Sequence, residues 1–229
     1  MDNRIAEIEE KIGVVFTDKN ILKEALTHRS YLNEDSHWAV PHNERLEFLG
    51  DAVLEIIVTD HLFHALPDEE EGVLTTYRAA LVNTKMLCSV AKDLGMPEYV
   101  LMSKGEAREI MSRRGEAILA DAVEAFIGAL YLDQGYEAAL SFIKKNILAH
   151  ISEVGETGGK DPKSMAQEMI QEKYKVTPTY KVLDEHGPAH DRFFLVGLCI
   201  ENEIVAKGEG HSKQAAELEA AKRFIEGIT

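Results

Sequence analysis

A chain of 229 residues, 45% of them hydrophobic, is long enough to bury one or two cores. It contains no apolar run near the roughly 18 residues that a membrane span needs, and its acidic, amphipathic start MDNRIAEIEEKIG does not read as a signal peptide. A formal charge of −15 weighs against a surface built for phosphate contacts, while two cysteines far apart, Cys88 and Cys199, support neither a zinc site nor a disulfide framework and suit a reducing cytoplasm.

In chain order, residues 1 to about 150 form a series of helical patterns. IAEIEEKIG, ILKEALTHRSYL, HNERLEFLGDAVLEII, EEGVLTTYRAALVNTKMLCSVAKDLG, ILADAVEAFIGALYLDQG and YEAALSFIKKNILAHI all place apolar residues at helical spacing, with Gly, Pro and Asn or Asp between them. No strand is expected there. GETGGKDP (155–162) then combines three glycines with a proline, which suits a flexible linker. Beyond it a helix is expected over 162–175, with Pro162 in its first turn. TPTYKVLDEHG, FFLVGLCIE and EIVAKGEG alternate like strands separated by turns at Gly187-Pro188 and Glu201-Asn202, and SKQAAELEAAKRFIEGI closes as a helix. The expectation is an all-α domain (1–154), a linker (155–161) and an α+β domain (162–229) of α-β-β-β-α order with both helices on one face of the sheet.

The third helical segment is unusual. At about 100° per residue, Glu44, Glu47 and Asp51 fall within an arc of about 60°, opposite the apolar stripe of Leu46, Leu49, Val53 and Ile57. Asn43 is placed to cap the helix, and Glu44 then lies in the first turn, where negative charge is favoured. A merely solvated face would interleave lysines, and like charges at this spacing repel. In ILADAVEAFIGALYLD, Asp121 and Glu124 share a face embedded in apolar sequence. Gly128 lies close to that face, and a mid-helix glycine costs about 1 kcal/mol relative to alanine, a cost that close approach of another helix would offset. Side by side, the two helices would bring together up to five carboxylates, a cluster stable only with cations or bound protons. An all-oxygen donor set favours Mg²⁺ or Mn²⁺ over zinc and suits phosphoryl chemistry. The di-iron pattern of paired Glu-x-x-His is missing, since only Glu34 and His37 have that spacing. The one adjacent His-Asp pair, His190-Asp191, lies beside a turn.

NERLEFLGD (43–51), preceded by LTHRS (26–30) and followed by EEGVLTTYRAALV (70–82) and ILADAVEAFIGALYLD, resembles the signature of bacterial ribonuclease III. GPAHDRFF (187–194) and GHSKQAAELEAA (210–221) resemble a double-stranded-RNA-binding domain. The resemblance implies a homodimeric, Mg²⁺-dependent endonuclease that cuts both strands of an RNA duplex, with Mn²⁺ able to substitute. Its products would carry 5′-phosphates, 3′-hydroxyls and two-nucleotide 3′ overhangs, and its substrates would include ribosomal RNA precursors and other structured RNAs. By the same resemblance Glu47, Asp51, Asp121 and Glu124 hold metal, Asp51 and Glu124 being catalytic, and Glu44 and Glu71 line the cleft. Phe48, on the wheel beside the acidic face, would insert into the partner subunit. His28 and Ser30 read as packing and hydrogen-bonding residues. In the C-terminal domain Ser164, Gln167 and Glu168 would meet one minor groove, His190 the next, and Lys213 the phosphates between them, recognition that depends on duplex shape more than on bases. Gln214 stands where the family usually has a second basic residue, which implies weaker, more salt-sensitive binding. Residues 161–229 carry 9 basic against 12 acidic side chains, a net −3. A double-stranded-RNA-binding regulator that does not cut is the alternative.

Overall fold

A computed structural model of the chain describes residues 2–35, 37–110, 112–156, 162–188 and 192–227, which divide into two compact units, Met1–Gly158 and Gly159–Thr229. The first contains α1 (Asp2–Ile12), α2 (Lys19–Ala25), a 3-10 turn (Arg29–Asn33), α3 (Glu44–Ala65), α4 (Glu71–Val82), α5 (Thr84–Asp93), α6 (Lys104–Arg108), α7 (Arg113–Gln134), α8 (Tyr136–Asn146) and α9 (Ile151–Glu156). Among its described residues the only β pairing is an isolated parallel bridge between Thr27 and Leu101. No described helix is long and apolar enough to cross a membrane.

The core is built around α7. Ala122, Val123, Ala125, Phe126, Ile127, Ala129 and Leu130 are all buried, as expected of a helix that is apolar nearly all round. Phe126 meets Phe16 edge-on at 5.3 Å between ring centres and lies 5.0 Å from Phe142. α3 buries Leu46, Val53 and Ile57 as its periodicity predicts, and also Leu54, Val58 and Leu62, so its buried face is wider than the predicted stripe.

Three details differ from the sequence reading. The pattern over 70–95 is two helices, because Asn83 is extended (φ −75°, ψ 159°) and its side-chain oxygen accepts from the Met86 N–H, capping α5 at the expense of continuing α4. Asn43 stands at the start of α3 without capping it through its side chain. It already has helical dihedrals, its carbonyl accepts from the Glu47 N–H at 2.9 Å, and its own N–H donates to the Thr27 carbonyl. The expected linker begins inside α9, whose helical turns run through Glu156; residues 157–161 lie outside the described ones.

The second unit runs α10 (Pro162–Tyr174), β1 (Thr179–His186), β2 (Phe193–Ile200), β3 (Glu203–Gly210) and α11 (Lys213–Ile225). The sheet is antiparallel in the order β1-β2-β3, with Tyr180 opposite Leu198 and Leu198 opposite Ala206. Ala166 and Ile170 of α10 and Ala220 and Ala221 of α11 close one core with Leu198 and Ala206, so both helices cover the same face. Gly208 makes this possible: a Cβ there would lie 2.1 Å from the Ala220 nitrogen. Ser212 caps α11 by accepting from the Ala215 N–H at 3.1 Å.

Candidate metal centre

Where α3 crosses α7 the two backbones touch. A Cβ on Gly50 would lie 1.7 Å from the Glu124 carbonyl oxygen, and one on Gly128 would lie 2.2 Å from the Leu46 carbonyl oxygen. Only two facing glycines allow this approach, which offsets the cost that each imposes on its own helix. The start of α3 is held by the LTHRS segment. Besides the Thr27–Asn43 hydrogen bond, Trp38 Nε1 donates to Thr27 Oγ1 at 3.1 Å, and Ser30 Oγ accepts from the Ser103 N–H while lying 2.8 Å from His28 Nδ1. Through these hydrogen bonds Ser30 ties the LTHRS segment to Ser103.

The crossing assembles the acids. Carboxylate oxygens of Glu47, Asp121 and Glu124 lie within 4.8 Å of one another, each residue half-buried. Asp51, one turn beyond Glu47, is exposed, and its charge acts on both Glu47 and Glu124. Burial pushes the Glu124 carboxyl up to about 8, reinforced by Asp51, Asp121, Glu47 and Glu55. Burial likewise raises Glu47, with help from Asp121, Glu44 and Asp51, and raises Asp121, with help from Glu44. Among the described residues no cation lies within 4.0 Å of Glu47, Asp51, Asp121 or Glu124. Half-buried, mutually repelling carboxylates without a counter-charge fit a divalent cation, which would reverse the upward shifts, and an oxygen-only donor set suits a hard ion.

The ends of the acidic stripe are treated differently. Glu44 is met by Arg29 at 3.4 Å and by His42 Nδ1 at 3.9 Å. Glu55 continues the stripe one turn past Asp51 and is met by Arg78 of α4 at 3.1 Å. Glu55 is not among the residues expected from the sequence, although the same i, i+4 spacing from Asp51 points to it. Nor is Gly50, whose signal is a glycine inside a predicted helix, as at Gly128. Arg29 and Arg78 carry no such signal, because their partners lie on other elements.

The remaining predicted residues stand elsewhere. Glu71, in the first turn of α4, accepts from Thr75 Oγ1 at 3.1 Å and lines a cavity of about 260 Å³ with Thr59, Leu62, Phe63 and Arg78. Those α3 residues lie 8 to 12 positions past Asp51, roughly 12–18 Å along the helix, and Glu71 is not among the acids that converge at the crossing. Phe48 is 81% exposed, and Ala52, Ile56 and Phe63 continue an exposed stripe within about 80° of it. Such a stripe marks an interaction surface. In the second unit Ser164, Gln167 and Glu168 are exposed on α10, and Lys213 and Gln214 on α11. Lys213 Nζ lies 5.8 Å from the Phe194 ring centre. His190 lies outside the described residues.

Fold and site together define a two-domain protein in which a helical unit with an acidic, metal-suited helix crossing is joined to an α-β-β-β-α module. A Ribonuclease-III-like family model matches residues 18–151, and a Double-stranded RNA binding motif matches residues 162–228. Ribonuclease 3 of Enterococcus faecalis is 42% identical over 229 residues, covering 100% of this chain and 99% of the relative. Ribonuclease 3 of Bacillus cereus is 46% identical over 222 residues, covering 96% and 89%. The solved nuclease domain of ribonuclease III from Campylobacter jejuni is 40% identical, with a TM-score of 0.57, covering 63% of this chain and 96% of that one. The chain belongs to the ribonuclease III family.

Proposed function

We propose that the chain is a homodimeric, Mg²⁺-dependent endoribonuclease that cleaves double-stranded RNA, including ribosomal RNA precursors, to leave 5′-phosphates, 3′-hydroxyls and two-nucleotide 3′ overhangs. The helical unit through Glu156 cuts, residues 162–229 bind, and the segment between them tethers the two. The observation that carries this reading is the convergence of Glu47, Asp121 and Glu124, with Asp51 beside them, at a crossing where no described cation neutralises them. Glu47, Asp51, Asp121 and Glu124 would hold the ion. A divalent ion bound there lowers the pKa of a coordinated water and polarises the phosphate. Burial and the neighbouring acids push the Glu124 carboxyl up, so that a proton or a cation there would relieve the repulsion within the cluster. Glu47 and Asp51 ride on one helix and Asp121 and Glu124 on another, so the crossing of α3 and α7 sets where the four side chains start.

Ser164, Gln167 and Glu168 would meet one minor groove and His190 the next, while Lys213, with Gln214 beside it at the N-terminal end of α11, would meet phosphate. Phe48 and the stripe it begins would pack against a second copy, setting two acidic clusters along one cleft with Glu44 and Glu71 lining it. The Campylobacter jejuni nuclease domain has a region involved in dimer formation, which supports this pairing. Two buried, free cysteines fit a cytoplasmic setting.

The test is to incubate the full chain with a long RNA duplex with and without Mg²⁺. Cleavage only with the metal, giving ends that a ligase can join, is the expected result. Binding without cleavage in Mg²⁺ would identify a regulator that holds RNA and does not cut it.

A further inference from the structure

Glu47, Asp51 and Glu55 follow one another at i, i+4 and i+8 on α3, so all three side chains project from one face within about 80°. By position alone Glu55 belongs to the metal cluster, and its charge is among those that act on Glu124. It is held aside instead. Arg78 Nε lies 3.1 Å from Glu55 Oε2, and Arg78 Nη1 donates to Thr59 Oγ1, also at 3.1 Å. Two contacts on successive turns of α3 fix the guanidinium plane, which a lone ion pair would leave free to rotate. The pair is also less exposed, at 37% and 39%, than Arg29 and Glu44 at the other end of the stripe, at 70% and 47%, so it is less screened.

We propose that Arg78 is a positioning residue for the metal centre: it draws the Glu55 carboxylate away from Asp51 and Glu124, so that the cluster offers a cation four carboxylates and not five. This rests on the metal-dependent reading above. The consequence is chemical. Mg²⁺ takes a strict octahedral shell and works in phosphoryl chemistry while keeping positions for water and phosphate oxygens. A fifth carboxylate would occupy such a position and bind the ion more tightly, at the expense of catalysis.

The test is calorimetric titration of the full chain with Mn²⁺ alone, without RNA. Arg78→Ala should tighten Mn²⁺ binding by roughly fivefold, the scale of one extra unit charge acting from the site's edge, while duplex cleavage falls. Glu55→Gln should weaken Mn²⁺ binding by a similar factor, because the guanidinium is then uncompensated beside the cluster. The double variant should return close to the parent, and Arg78→Lys, which cannot hold Glu55 and Thr59 in one fixed plane, should fall between Arg78→Ala and the parent. A purely structural clamp predicts instead that Arg78→Ala weakens Mn²⁺ binding, as Glu55→Gln does. Equal or weaker Mn²⁺ binding in a folded Arg78→Ala protein overturns the proposal. If that variant does not fold, unchanged or tighter binding in Glu55→Gln does so. Mn²⁺ binding that survives Asp51→Asn and Glu124→Gln together would remove the metal centre itself, and this role of Arg78 with it.

Discussion

In the helical unit, Glu47 and Glu124 stand 77 positions apart in sequence and meet because Gly50 and Gly128 let two backbones touch. In the α-β-β-β-α unit, Ser164, Gln167 and Lys213 stand exposed on the helices that carry them. The first arrangement concentrates like charge in a half-buried crossing and depends on backbone geometry to a fraction of an ångström. The second spreads polar groups over a surface and depends on which side chains are present. The crossing of α3 and α7 should therefore be sensitive to small changes in packing and protonation, whereas the exposed polar face of the second unit should respond in proportion to its charge.

The sharpest way to separate the two units is Glu124→Gln. Cleavage should fall on the order of 1,000-fold if, as proposed, this carboxylate holds the ion, while a gel-shift assay should show duplex binding within about twofold of the parent. Normal turnover would take Glu124 out of the mechanism. Next is Gly128→Val. Its added side chain starts where a Cβ would already be 2.2 Å from the Leu46 carbonyl oxygen, and the overpacking should destabilise the helical unit by about 3 kcal/mol. Urea unfolding should show that loss in the helical unit only. An equal loss in both units would mean that their stabilities are not independent.

Protonation tests the same contrast. Without metal, Glu124 is pushed up to about 8 from an ordinary value of 4.5. The folded chain keeps a proton there that the unfolded chain releases, so this contribution to stability is full below about pH 4.5 and is lost as pH rises to about 8. The Tm of the metal-free helical unit should fall across that window, and added Mg²⁺ should restore it more at pH 8 than at pH 5. Glu124→Gln should flatten that dependence; an unaltered slope in the variant would assign the titration to another group. The smallest effect concerns the binding surface. Gln214→Lys should tighten duplex binding by about 1 kcal/mol or less and steepen the salt dependence by about one counterion, and Lys213→Ala should do the reverse. A salt slope that neither change moves would place phosphate contact elsewhere on the module.

Much of this was already written in local patterns. Helical spacing in 43–57 and 118–135, strand alternation after 177 and the order of the motif blocks together specify a helical unit followed by an α-β-β-β-α unit. The unneutralised acids at Glu47, Asp51, Asp121 and Glu124 and the oddly placed Gly128 are visible in the same way. These features are legible because each depends on residues a few positions apart, where backbone repeat and side-chain chemistry act directly. The break at Asn83 was not legible, because a side-chain cap won a local competition that periodicity does not score. Nor were the Arg29–Glu44 and Arg78–Glu55 pairs, which join residues 15 and 23 positions apart on different elements.

The chain alone determines which helices and strands form and which acids face the same way along each of them. Folding decides which acids receive a counter-charge and which are left for a metal ion. That outcome depends on how closely α3, α4 and α7 approach one another, a distance set by the packing of the whole core.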